Sequence, residues 1–167
     1  DRTAGGSSGG AGASIAAGMV SIATGTDGGG SVRIPCAWNG IFGMKGTLGR
    51  IPRFGGVSNP APNQTSSTGP MTRYVKDTAV MMEALSGHDV RDTSSLRHPA
   101  PDLLSTIDDG VKGMKIGWSI SLGLSPVEAD IEQSVHDSAL AFKELGADVS
   151  EAPLTLEIPP FSYWWDV

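Results

Sequence analysis

Two glycine-serine stretches carry the residues best suited to chemistry. They are Gly5-Gly6-Ser7-Ser8-Gly9-Gly10 and Gly25-Thr26-Asp27-Gly28-Gly29-Gly30-Ser31-Val32-Arg33. A serine hydroxyl becomes a nucleophile once a base takes its proton. A second serine can relay that proton, because a hydroxyl both donates and accepts. A neutral lysine can serve as the base if burial and neighbours lower its pKa. Glycine has no Cβ, so backbone N–H groups can crowd around a substrate oxygen. Attack on an amide carbonyl builds an oxyanion, and each preorganised donor to it is worth about 3–4 kcal/mol in hydrolases. The two stretches together therefore look like part of a nucleophilic site.

Simpler readings fit these stretches less well. Glycine-serine runs are often flexible linkers, but these two flank residues 11–24, which are apolar and patterned. A phosphate loop would end in Gly-Lys-Ser/Thr, and Gly10-Ala11-Gly12 lacks the third glycine of a dinucleotide fingerprint. Gly5-Gly6-Ser7-Ser8-Gly9 does satisfy Gly-x-Ser-x-Gly, the nucleophile elbow of α/β-hydrolases. That elbow needs a strand before it and a histidine base after it. Asp1-Arg2-Thr3-Ala4 is a poor strand, His136 lies within a helical pattern, and His88 and His98 sit in polar loops.

The order and spacing of motifs across residues 5–47 resemble the amidase signature family. The match runs from Gly-Gly-Ser-Ser-Gly-Gly through Gly-Thr-Asp-x-Gly-Gly-Ser-x-Arg to Gly43-Met44-Lys45-Gly46-Thr47. It continues more weakly through Gly69-Pro70-Met71-Thr72 toward Asp77, a strand at residues 110–119 and a helix at residues 131–146. The resemblance implies an α/β fold, a mixed β-sheet core flanked by helices and incomplete in this chain. It implies that Ser31 is the acyl-accepting nucleophile and Ser7 the bridging serine, reached through a cis peptide bond from Gly6. The N–H groups of Gly28, Gly29, Gly30 and Ser31 would form the oxyanion hole, with Ser8, Thr26, Asp27 and Arg33 in support. The residues themselves suggest an Asp27–Arg33 pair that braces the loop.

The family's third catalytic group is a lysine well upstream of the first motif. Asp1 lies too close to Ser7 for that lysine to be present, so this looks like an internal fragment, inactive when isolated. By resemblance Lys45 is structural rather than the missing base. The expected activity is hydrolysis of a carboxylic amide C–N bond in a small-molecule substrate, with no metal or organic cofactor. A homodimer is compatible with this reading. An amidotransferase A-type subunit is the alternative within the family, although no surface for its partner subunit is evident in the sequence. A non-catalytic scaffold or binding module is the alternative outside it.

Composition agrees with an acidic globular domain. The 167 residues carry 12 basic and 18 acidic side chains, a net charge of −6. That balance, without basic clusters, speaks against a nucleic-acid partner. No apolar run approaches the roughly 18 residues of a membrane span. The single cysteine, Cys36, cannot form an internal disulfide and is expected to be a small core residue, which is compatible with a cytoplasmic setting.

These pieces need elements to hold them. One amidase domain is expected: a signature core at 1–47, a loop and scaffold helix at 48–110, and a strand-helix-strand scaffold at 111–167. Residues 8–17 predict a small-residue helix, 19–24 a strand and 41–45 a second strand. A helix is expected to begin at Ser31, pointing its positive end at the oxyanion. Residues 46–68 predict a long, proline-bearing loop that could line the substrate entrance. Val75, Ala79, Met82 and Leu85 recur at helical spacing within 72–86. Residues 114–118 predict a strand. Ser125-Pro126-Val127-Glu128 looks like a capped helix start, followed by a stripe of Ile131, Val135, Ala139, Phe142 and Leu145. Residues 147–154 predict a last strand, and the aromatic tail at 161–167 calls for a partner surface.

Overall fold

The computed structural model describes residues 2–54, 65–124, 126–152 and 154–156. The chain divides into two compact units, Asp1–Ile107 and Asp108–Val167.

The first unit is built on a three-stranded antiparallel sheet. Helix α1 (Gly9–Ala16) leads to strand β1 (Ile22–Asp27), helix α2 (Arg33–Asn39), strand β2 (Phe42–Gly43), strand β3 (Ser67–Thr72) and helix α3 (Val75–Leu85). The strand order is β1-β3-β2. Ile22 faces Thr72 and Asp27 faces Ser67 across the β1–β3 pair, while Phe42 and Gly43 face Thr72 and Met71. Ile15 from α1, Val32 and Cys36 at α2, and Met71 from β3 form the buried cluster, with Ala11, Ala23 and Ile41 against it. Successive strand residues point to opposite faces. Met71 therefore faces α1 and α2, and Thr72 turns to the other side, where its hydroxyl bonds that of Thr78 in α3 at 2.7 Å.

The central strand β3 is the main departure from expectation. Ser67 and Thr68 fall at the end of the predicted loop, Thr72 at the start of the predicted helix and 69–71 in neither, yet residues 67–72 form the strand that joins the other two. Gly69 and Pro70 look like a turn in the sequence, because proline cannot donate to a ladder and is rare in sheet centres. Here Pro70 still accepts, from Met44 N at 3.1 Å. Gly69 is needed because a Cβ there would run into the Met44 carbonyl oxygen. Residues 55–64 of the predicted loop lie outside the described residues.

Other boundaries shift by a few residues. β1 starts at Ile22 rather than at 19, because a turn closes α1 through Gly18 N to Ile15 O (3.0 Å) and Met19 N to Ser14 O (2.9 Å). α2 starts at Arg33, leaving Ser31 in the turn before it. In α3 the buried residues are Thr78, Ala79 and Met82, whereas Val75 is exposed.

The second unit is a βαβ arrangement. Strand β4 (Lys115–Trp118) and strand β5 (Asp148–Glu151) pair in parallel, joined by helix α4 (Ala129–Glu144). The helix begins after Glu128 rather than at Pro126, and no side chain among the described residues caps it; Ser125 lies outside the described residues. Of the predicted apolar stripe only Ala139 is buried, while Ile131 is 51% and Leu145 66% exposed. A two-stranded sheet is too narrow to cover a helix of this length. The aromatic tail at 161–167 is also outside the described residues. Among the described residues no helix is long and apolar enough to cross a membrane.

Gly69→Ala should destabilise the first unit by about 1–3 kcal/mol, the usual range for overpacking. Urea unfolding of the natural full-length protein checks this, and an unchanged midpoint would mean that the Met44–Gly69 approach is not a constraint.

Candidate active site

Both glycine-serine stretches arrive at the head of α2. Ser8 N donates to Ser31 O at 3.2 Å, a backbone bond that fastens one stretch to the other. Ser7 follows a cis peptide bond from Gly6. On the far side of the first stretch, the Asn39 amide at the end of α2 donates to Ala4 O and to Pro35 O, both at 2.8 Å. The stretch is thus held at both of its ends.

Small residues let these pieces touch. A Cβ on Gly25 would meet Ser8 Oγ at 2.7 Å, Val32 Cγ2 at 2.9 Å and Met71 Sδ at 3.0 Å. Strand β1 therefore passes directly beneath Ser8. Gly12 gives α1 the same closeness to α2, with Asn39 Nδ2 and Pro35 Cβ each 3.1 Å from where its Cβ would sit.

The turn between β1 and α2 is organised by Asp27. Its carboxylate is fully buried. Oδ1 accepts from Gly30 N at 2.8 Å and from Arg33 Nη2 at 2.8 Å. Oδ2 accepts from Arg33 Nε at 2.9 Å, Arg33 N at 3.2 Å and Val32 N at 3.3 Å. The Asp27–Arg33 pair suggested by the sequence is therefore a bidentate ion pair, and its aspartate also ties down three peptide groups. The Arg33 guanidinium holds the Asp27 carboxyl far below the ordinary carboxylate range; burial opposes this, and the N–H groups of Arg33 and Gly30 add to it. Asp27 in turn raises Arg33. The Cys36 thiol is pushed up, first by burial and then by the Asp27 charge, so it stays protonated in the core.

The remaining predicted site residues fall as follows. Ser7 is exposed and Ser31 half-buried, and neither hydroxyl makes a hydrogen bond to a described residue. The N–H groups of Gly28, Gly29 and Ser31 likewise have no acceptor among the described residues. Thr26 pairs with Thr68 across the sheet and has an exposed side chain. Ser8 stands over Gly25. Asn39 and Gly12 were not anticipated; the signals that could have found them were an asparagine at a helix end and a small-residue stripe. Among the described residues no group of three or more His, Cys, Asp or Glu is arranged to hold a metal.

A mixed α/β fold with two glycine-serine loops pinned together at the start of a helix defines a narrow class of protein. Residues 1–165 match the Amidase family, and the chain belongs to it, the amidase signature family. It is 42% identical over 153 residues to the A-type subunit of the glutamyl-tRNA(Gln) amidotransferase of Ligilactobacillus salivarius (strain UCC118), covering 92% of this chain and 31% of that protein. Among solved structures it is similar to a bacterial aryl acylamidase, with a TM-score of 0.84 and 44% identity over 93% of this chain and 31% of that one. It also resembles a 6-aminohexanoate cyclic dimer hydrolase, with a TM-score of 0.79 and 30% identity over 90% and 32% of the two chains. The chain thus spans about a third of the length of the relatives it matches.

Asp27 also fixes an acid dependence. Its folded pKa lies below the unfolded value of about 4. Its contribution to stability is therefore complete above pH ~4 and is lost as pH falls toward the folded value. Asp27→Asn should lower the melting temperature at pH 7, and the gap from wild type should narrow as pH drops below about 4. Parallel melting curves across that range would remove the ionised carboxylate from the account.

Proposed function

We propose that the protein is an amidase that cleaves a carboxylic amide through an acyl-enzyme on Ser31. The observation that carries this reading is the Ser8 N to Ser31 O bond, which brings both serine stretches to one turn. Membership of the amidase signature family supports it. Ser31 Oγ attacks the carbonyl carbon, and its proton passes through the Ser7 hydroxyl to a base. In the family pattern that base is a lysine placed ahead of the first motif. The oxyanion is met by backbone N–H groups of the 28–31 turn. The tetrahedral species collapses, the amine leaves with the relayed proton, and water releases the acid by the reverse route. Asp27 and Arg33 act as positioning residues, because their bonds run to each other and to the backbone of the turn. No step in this scheme calls on a metal or an organic cofactor. A small amide is the expected substrate, and a cytoplasmic setting remains part of the proposal.

The amidotransferase relative supports a second reading, in which the same acyl chemistry frees ammonia for a partner protein. The two readings differ in what they need. A stand-alone amidase hydrolyses simple aryl or aliphatic amides by itself, whereas the amidotransferase reading requires a partner for productive turnover.

A fluorophosphonate probe should label Ser31 in the natural full-length protein, and Ser31→Ala should lose both the label and about 10⁴-fold or more of kcat. Label on Ser7 or Ser8 instead would favour a nucleophile elbow, and no label on folded protein with any of several small fluorophosphonates would favour a scaffold. Arg33→Met should cut kcat/KM on the order of 100-fold by loosening the turn, with Arg33→Lys recovering part of it; near-normal kinetics in Arg33→Met would remove the brace.

A further inference from the structure

We infer that Arg53 is a substrate-anchoring residue, whose guanidinium receives a carboxylate carried by the amide that Ser31 attacks. The inference rests on the amidase reading above and names a substrate class within it.

Arg53 is held beside the catalytic turn. The last pair of the β1–β3 ladder is Asp27 with Ser67, and residues opposed in an antiparallel pair stand about 4.5–5.5 Å apart. One step further along each chain come Gly28, which opens the 28–31 turn, and Ser66. The Arg53 guanidinium is bonded to that Ser66. Its Nη1 donates to the Ser66 carbonyl oxygen at 3.1 Å and to Ser66 Oγ at 3.2 Å. The backbone of Arg53 is fixed as well, since its N–H donates to Asp92 Oδ2 at 2.8 Å. Asp92 is buried, and its Oδ1 accepts from Ser94 N at 2.9 Å and Ser94 Oγ at 2.6 Å. Both ends of the arginine are tied down, so little rotamer freedom is left to lose when a ligand arrives.

The charge of Arg53 is not used up within the fold. A guanidinium carries five N–H donors in a planar fork that matches a carboxylate. Here Nη1 alone is engaged, and with neutral oxygens; Nε and Nη2 have no acceptor among the described residues. No described carboxylate forms an ion pair with it, and Asp92 bonds its peptide N–H instead. Residues 54–65, which join Arg53 to Ser66, contain no Asp or Glu. Arg33, the other arginine at the turn, is the contrast, because Asp27 takes both its Nε and its Nη2. A half-buried cation without a counter-charge carries a desolvation cost. A substrate carboxylate on Nε and Nη2 offsets that cost. In a chain of net charge −6, such an anion also needs a local cation to draw it to the site.

Kinetics on matched anilides test this in the natural full-length protein. Succinyl p-nitroanilide carries a carboxylate on the acyl side, and butyryl p-nitroanilide does not. The butyryl amide of p-aminobenzoate carries one on the amine side, against butyryl anilide. Wild type should favour the carboxylate member of one pair by about 10-fold or more in kcat/KM, mainly through KM, as a charge-assisted bond would give. Arg53→Gln should cut that preference by about 10-fold. Ser66→Asp, which adds an internal carboxylate beside Nη1, should cut it too with the arginine retained, so the result does not hang on how well Arg53→Gln folds. Equal losses on both members of a pair would make Arg53 a tie between two chain segments and overturn the inference. A preference that survives both variants would overturn it, as would its absence from wild type whose Ser31 takes a fluorophosphonate label. An unlabelled Ser31 in folded protein that hydrolyses none of the anilides would sink the amidase reading, and this inference with it.

Discussion

The buried Asp27 carboxylate is the contact on which the site's geometry depends. It sits at the end of β1, where the chain must reverse into α2. A carboxylate in that position would be costly without partners. Here it has three peptide N–H groups and a bidentate guanidinium. The same five bonds that satisfy the charge also fix the backbone from Gly30 to Arg33. Ser31 lies inside that interval, so its placement follows from an electrostatic requirement of the neighbouring aspartate. Arg33 is 56% exposed at its side chain while Asp27 is wholly buried. The pair therefore spans the boundary between solvent and core, and the arginine screens the aspartate on its open side.

A second constraint is steric. The elements around the site approach closely because several positions lack a Cβ. Gly25 lets Ser8 and Met71 lie against β1, Gly43 admits Cys36 and Val32, and Gly12 admits Asn39 and Pro35. With these approaches in place, Ile15, Val32, Cys36 and Met71 close a small, dense cluster under the two serine stretches. The site is consequently supported from below by packing and from the side by the Asp27 bonds. The supporting sheet itself turns on β3, whose Gly69-Pro70 pair would weaken an ordinary central strand. Close packing of Met44 against Gly69 and the bond from Met44 N to Pro70 O hold it there.

The second unit follows different rules. Its parallel pair and α4 form a complete βαβ connection, yet most of the apolar stripe of α4 is open to solvent. Trp118 on β4 meets the His136 ring edge-on, with centroids 5.7 Å apart, so His136 has a packing role within this unit.

The sequence by itself determined the α/β class and the existence of α1, β1, α2, β2, α3, β4, α4 and β5. These come from short-range signals: glycine-serine runs, hydrophobic period, and glycine after a helix. It also suggested the Asp27–Arg33 pair, because the two residues are near in sequence. Three things were decided only by tertiary structure. Strand β3 was hidden because its Gly69-Pro70 looks like a turn until neighbouring strands supply the partners. The burial of α4 was misjudged because a periodic stripe states which face could be covered and not whether anything covers it. The inequality of Gly28, Gly29, Gly30 and Ser31 was invisible because four similar N–H groups differ only in where the fold aims them, and a carboxylate in the core selects one of the four.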